Sequence, residues 1–422
     1  MLKTLLDIFK KKEINISEKI QSIQKIYPIK KIFYCINNYS ENSEVRYVGG
    51  CIRKSIINEK IDDVDLATNL NPSELEQCLF KNNIKYINTG KKFGTLTLLV
   101  ENHKFEITSL RKDVDTDGRH TKVKYTKNWR EDSERRDFTF NSIYSNLNGE
   151  LFDPYNGKKD LIKGEVNFIG NTVERIKEDY LRILRYVRFF LNYSKTKHKP
   201  EVISAIKQNI VGIHKLSKER LLDELKKIIL SDGFLRINDD ELSKEIIKLI
   251  FPQIKNFTVL KDNNKKSLED LIKKKDFIFI ISLLIIDFTD NTDFFLHKYN
   301  FSNNDKKRII FLKEIFNKQN EKSFLEKRNL KKILYRHGRE RVLDILRFQL
   351  FYSKNKEKIV NMLSFFNKEG IPTFPIKAGL LIKNYNFKQD KILGSKLKDL
   401  ENYWINNDFQ ITKKEISKIV KN

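Results

Sequence analysis

Apolar and polar positions along the chain change their rhythm twice. Up to about residue 40 they recur at helical spacing, which predicts one or two amphipathic helices. From Val45 to about Leu151 the texture turns to short β-type runs: VRYVGG, DVDLAT, GTLTLLV, KFEITSL and FNSIYSNLNGELF. Such runs, punctuated by glycines, predict a small mixed sheet with helices. Past about Glu174 the pattern is helical almost to the end. In ERIKEDYLRILRYVRFFLNY, positions Ile176, Tyr180, Ile183, Leu184 and Val187 fall at three-to-four spacing on a single continuous helix, and KERLLDELKKIIL repeats that texture. No fixed-period repeat is evident. The most apolar run, FIFIISLLII at 277–286, is too short to span a bilayer and reads as a core helix.

The fold class expected is α+β, a small mixed-sheet head followed by an elongated all-helical remainder. The expected divisions are N-terminal helices at 1–40, a head at 41–173, a helical neck at 174–237 and a helical body and tail at 238–422. The last of these carries no motif, only Lys-rich amphipathic helices.

With 422 residues, the chain can bury a sizeable core without disulfides or structural metals. Charge changes the picture more. The formal net charge of +26 favours a polyanionic partner, RNA, DNA or an anionic membrane, although a Lys-, Ile- and Asn-rich composition also follows from AT-rich coding. No lipidation or membrane motif supports the membrane option. Three cysteines, Cys35, Cys51 and Cys78, form no CxxC pair, which argues against a disulfide framework or a Cys-based zinc site and fits a reducing cytoplasm. The six histidines are scattered, so a His-rich metal hydrolase is not expected. The N-terminal stretch lacks the small-residue cleavage site of a secretory signal.

Four stretches carry candidate chemistry. In YVGGCIRK a strand ends at Gly49-Gly50 and a helix follows, so backbone N–H groups and Arg53 can meet phosphate; a simple turn would look the same. In Asp63-Val64-Asp65, on a strand, both carboxylates share a face and call for a divalent cation such as Mg2+ between them; a solvated edge strand is the plain alternative. In KFEITSL, Phe105 and Ile107 would face the core and leave Glu106 and Thr108 opposite, making Glu106 a candidate third carboxylate or a surface glutamate. In EDSERRDFTFN, Arg135 and Arg136 could bind a triphosphate or ribose, or form a solvated charge cluster. Further on, Asp179, Arg182, Arg185 and Arg188 follow at steps of three on one helix face. An intrahelical ion pair would explain the first two, but the row holds more arginines than one acid needs and suggests an anionic ligand.

Taken in order, GGCIRK, DVDLAT, FEITSLR, RRDFTFN and EDYLRILRYVRF resemble the motifs of the class II CCA-adding enzymes (tRNA nucleotidyltransferases) and their bacterial poly(A) polymerase relatives. The resemblance runs over residues 45–192 and, more weakly, 217–230. It implies a polymerase-β-type nucleotidyltransferase head, with Asp63, Asp65 and Glu106 as catalytic and Mg2+-holding carboxylates. It implies that Gly49, Gly50, Arg53, Arg136, Asp137, Asp179, Arg182, Arg185 and Arg188 bind the nucleotide, with Glu178 orienting the Asp179–Arg182 pair that reads the base. The partners implied are tRNA, CTP and ATP, with no membrane and no protein partner evident. The polar segment at 111–134 corresponds to a flexible loop in the family. The neighbouring readings are a poly(A) polymerase, a partial enzyme adding only CC or only A, and a non-catalytic tRNA-binding relative. One departure stands out: the family's Asp after the motif Arg is Lys54 here.

Overall fold

The computed structural model describes residues 16–90, 94–116, 121–261, 264–318, 324–353 and 355–421. The chain divides into two compact units between Ile250 and Phe251.

In the first unit, α1 (Ile16–Ile26) and α2 (Lys30–Asn37) bury one stripe each, Ile20 and Ile23 on α1 and Ile32, Phe33 and Ile36 on α2. Residues 1–15 of the expected N-terminal helices lie outside the described residues. Then come β1 (Val45–Val48), α3 (Gly50–Ile56), β2 (Asp65–Thr68), α4 (Pro72–Lys81), β3 (Lys85–Gly90), β4 (Thr95–Val100) and β5 (His103–Ser109). The start of α4 follows directly from sequence: Asn71 and Glu74 form a reciprocal capping box with Pro72 in the first turn. After β6 (Arg111–Thr116), β7 (Thr121–Tyr125) and α5 (Trp129–Glu134), the short strands β8 (Tyr144–Ser145) and β9 (Leu151–Phe152) complete the head.

The main sheet has the order β3-β4-β5-β2-β1-β8-β9. Only the β2–β5 pairing is parallel, so the sheet is mixed, as expected. Strands β6 and β7 pair in a separate antiparallel hairpin. The segment expected to be a loop at 111–134 is therefore strand, turn and helix among its described residues, and residues 117–120 lie outside them. Alternating Arg111, Asp113 and Asp115 hid this hairpin, because neither face of it is apolar.

Helices follow: α6 (Gly157–Lys163), α7 (Thr172–Glu178), α8 (Leu181–Tyr193), α9 (Pro200–Asn209), α10 (Lys218–Ile229) and α11 (Glu241–Ile250). The single helix expected across 174–193 is two. Asp179 leaves helical geometry at φ −151° and ψ 103°, and α8 restarts after Tyr180. The apolar spacing carries through the break, since Ile176, Ile183, Leu184 and Val187 are all buried. Tyr180 is seated there by Gly212, where an added Cβ would lie 2.0 Å from the tyrosine ring.

The second unit, taken by itself, is helical throughout its described elements, from α12 (Lys265–Lys273) and α13 (Phe277–Ile285) to α20 (Lys391–Asn406) and α21 (Lys413–Lys421). Helix α13 is buried all round, as its composition predicts. Arg308 bridges Asp276, which caps α13, and Asp344 through four bonds of 2.7–2.8 Å, so its half-buried charge is compensated on both sides. No helix among the described residues is long and apolar enough to cross a membrane.

Candidate active site

The sheet positions the first half of the site. Strand β1 ends at Val48, and Gly49 turns the chain into α3 at φ +70°, a conformation that glycine adopts without strain. This turn sits against the carboxylates. A Cβ built on Gly49 would lie 3.8 Å from Asp65 Oδ2, and one on Gly50 would lie 4.0 Å from Arg53 Nη2. Asp65 opens β2 and is the register partner of Glu106 on β5. Phe105 and Ile107 are buried and Glu106 is exposed, so the alternation predicted for β5 holds.

Asp63 differs from expectation. It precedes β2 on an exposed loop rather than sharing a strand with Asp65, and its Oδ1 accepts the Val64 N–H at 3.0 Å. Among the described residues, no three His, Cys, Asp or Glu side chains are gathered as a ready-formed metal cage. The chemistry of the donor set nevertheless suits a hard cation. Burial, then the carboxylates of Asp63 and Glu106, push the Asp65 carboxyl up to about 6 against the opposing pull of Arg136 and Arg53. None of the three carboxylates has an ion pair among the described residues.

The second half is a set of arginines, each held by its own acceptor. Arg53 is buried; its Nε donates to Tyr193 Oη at 3.1 Å and its Nη1 to Asn141 Oδ1, and its guanidinium lies 4.9 Å from the Phe189 ring centroid. Asn141 Nδ2 donates onward to Asp137 Oδ1 at 2.9 Å, and Arg185 Nε donates to Asp137 Oδ2 at 2.5 Å. One chain of hydrogen bonds thus joins the glycine turn to α8. Asp137 is buried, which alone would raise its carboxyl, but Arg185 and Asn141 hold it well below the usual carboxylate range. Arg136 donates to Tyr144 Oη at 2.9 Å and to Asp132 Oδ2 at 3.2 Å. The RRD stretch is therefore built into the protein rather than solvated.

The plain alternative, an intrahelical Asp179–Arg182 ion pair, is not formed. Asp179 Oδ1 accepts the N–H of Leu181, the first residue of α8, at 3.1 Å, while Oδ2 pairs with Arg220 of α10 at 2.8 Å. Arg182 pairs with Glu178 at 2.7 Å and donates to the carbonyls of Arg175 and Arg135. Glu178 also pairs with Arg175 at 2.7 Å, so it fixes Arg182 and not Asp179. Arg188 pairs with Glu224, which is 2% exposed, at 2.6 Å. Sequence reasoning missed Asp132, Asn141, Tyr144, Arg220 and Glu224. Arg220 and Glu224 stand four apart on one face of a helix, a spacing that marked a shared partner surface.

Comparison with known proteins places this geometry. The poly A polymerase head domain family matches residues 45–167, and the probable RNA- and SrmB-binding site of polymerase A matches residues 199–258. The similar curated proteins are CCA-adding enzymes. The chain is 43% identical over 195 residues to the mitochondrial CCA tRNA nucleotidyltransferase 1 of Homo sapiens, covering 46% of this chain and 45% of that one. It is 29% identical over 305 residues to the CCA-adding enzyme of Staphylococcus saprophyticus, covering 72% of each. The match thus spans less than half the length of the human relative. The fold is that of the Bacillus stearothermophilus CCA-adding enzyme solved in complex with CTP (TM-score 0.68, 18% identity, 93% of this chain and 97% of that one). It is also that of the Thermotoga maritima CCA-adding enzyme solved with tRNA (TM-score 0.63, 18% identity, 96% and 98%).

Proposed function

We propose that the protein is a CCA-adding tRNA nucleotidyltransferase. It transfers C, C and A from CTP and ATP to the 3′ end of tRNA without a nucleic-acid template and releases pyrophosphate. The observation that carries this reading is the union of two groups in one unit. A face of unpaired carboxylates, Asp63, Asp65 and Glu106, adjoins a row of fixed cations, Arg53, Arg136, Arg182, Arg185 and Arg188. The curated relatives named above, and the solved neighbours with CTP and tRNA, support the choice of substrates.

The three carboxylates would hold Mg2+. Bound there, the ion would acidify the attacking 3′-hydroxyl and neutralise the triphosphate and departing pyrophosphate. The protein's own groups position the reactants. Gly49 and Gly50 let the triphosphate approach the start of α3, and Arg53 meets its phosphates. Arg136 meets sugar or phosphate, and Asp137 holds Arg185 in place. Arg188 closes the row. The 3′-hydroxyl then attacks the α-phosphate in line.

Asp179 and Arg182 choose the base. Cytosine and adenine both present an exocyclic amine beside an unprotonated ring nitrogen; uracil and guanine present a carbonyl beside an N–H. An ionised carboxylate has about four acceptor sites, so Asp179 can still accept from an amine beside Leu181 and Arg220. Arg182 spends three of a guanidinium's five hydrogens on protein acceptors, which leaves its Nε–H and one Nη2–H, either of which can donate to a ring nitrogen. Uracil or guanine would leave these groups unpaired, and that is how a polar site rejects a wrong ligand strongly. Residues 174–237 form the neck that carries this reader, and residues 238–422 form a basic body and tail that grips tRNA phosphates. All three cysteines are free and buried, in keeping with a reducing compartment such as the cytoplasm.

The test is to incubate the protein with tRNA transcripts lacking CCA, or ending in C or CC, with CTP, ATP and Mg2+, and to sequence the ends. CCA followed by a stop is expected. A long A tail would make it a poly(A) polymerase, and CC or A alone a partial enzyme. Tight tRNA binding without addition would make it a non-catalytic RNA-binding relative and overturn the proposal.

A further inference from the structure

Lys54 stands where the related motif carries an acid, and the structure shows what it touches. From α3, its Nζ pairs with Oδ1 of Asp62, the residue before Asp63. The loop between α3 and β2 is pinned at two further points. Glu59 N–H donates to Lys54 O at 2.9 Å, and Tyr27 Oη donates to Ile61 O at 3.1 Å. The Tyr27 ring lies edge-on to His103 and Phe105, centroids 5.4 and 6.3 Å away, on the strand that bears Glu106. The position of exposed Asp63 is therefore set by this loop rather than by sheet hydrogen bonds.

Asp62 is a hazard in that position. Its side chain is 57% exposed, and it puts a further carboxylate next in the chain to Asp63, which has no ion pair among the described residues. A hard divalent cation takes carboxylate oxygens with little regard for which residue supplies them. We propose that Lys54 is a positioning residue that neutralises Asp62 and ties it back to α3, leaving a divalent cation to Asp63, Asp65 and Glu106. This rests on the metal reading above. An exposed ion pair contributes little to folding, so the role of Lys54 is not stability.

The test uses the full chain with Lys54→Met, which keeps the aliphatic stem, Asp62→Asn, and the double variant. Mn2+ binding, with metal alone as the probe, is read from the free-ion electron paramagnetic resonance signal; nucleotide addition is measured separately. In Lys54→Met the released Asp62 charge should tighten Mn2+ binding about three- to tenfold, while addition slows about tenfold because the ion is drawn off position. Adding Asp62→Asn should return both to wild type, and Asp62→Asn alone should leave both within about twofold. Unchanged Mn2+ affinity in Lys54→Met, or a double variant as impaired as Lys54→Met, overturns the proposal. Failure of wild type to extend any tRNA would sink the functional reading without moving the Mn2+ series. If Asp65→Ala kept Mn2+ binding, the metal reading itself would fall.

Discussion

The two halves of the site handle charge in opposite ways. At the sheet end of the site, Asp63, Asp65 and Glu106 have no ion pair among the described residues, and burial, then the charges of Asp63 and Glu106, push the Asp65 carboxyl up. Around α8, every charge has a partner: Asp179 with Arg220, Arg182 with Glu178, Arg185 with Asp137, and Arg188 with Glu224. In the proposed reaction, a cation arriving at the first half would relieve the repulsion among its carboxylates. The second spends its charge on rigidity, and presents only leftover donors and acceptors to a ligand. The proposed templateless addition would use both, because the ion would come and go with the triphosphate while the groups that read the base would stay fixed.

Four substitutions or conditions separate these roles. Removing a carboxylate from the unpaired half should have the largest effect. Asp65→Ala should lower nucleotide addition by about a thousandfold or more, with tRNA binding nearly intact in a filter assay; equal turnover would refute the assignment. Arg53→Ala comes next, at the junction of the halves. It should raise KM for CTP and ATP about tenfold or more and leave the choice of base unchanged in steady-state kinetics.

In the paired half, Glu224→Gln leaves Arg188 with a buried charge lacking its partner. It should cost about 2–3 kcal/mol and lower Tm by several degrees, as read by calorimetry. The smallest effect concerns acid. Burial raises the Asp132 carboxyl, but Arg135, Arg136 and the Tyr144 hydroxyl more than offset this and hold it at about 2. A depressed folded pKa gives stability that is present above the unfolded value of about 4 and is lost as pH falls toward 2. Denaturant titrations between those limits should show about 2 kcal/mol less loss in Asp132→Asn than in wild type.

Much of this was legible in the sequence because local rules set it. The alternation of Phe105, Glu106 and Ile107, the glycine turn, the Asn71–Glu74 cap and the all-apolar α13 each depend on neighbours within a few residues. What was hidden depends on contacts distant in sequence. The break at Asp179 preserves apolar spacing, so periodicity shows nothing; it is held by Gly212 and Arg220, more than thirty residues on. The partners Asn141 for Arg53 and Glu224 for Arg188 are likewise far along the chain, and nothing local marks either pairing, although Asn141 ends the RRDFTFN stretch.

The division of labour can be tested in one competition. Wild type, Asp65→Ala and Asp179→Ala are given tRNA lacking CCA and all four triphosphates at equal concentration, and the products are end-sequenced. The account predicts only C and A from wild type, and almost no addition from Asp65→Ala. Asp179→Ala should still extend the tRNA but admit U and G at a substantial fraction of ends. An Asp179→Ala protein that still incorporates C and A alone would contradict the account, because the paired half would then have no part in choosing the base.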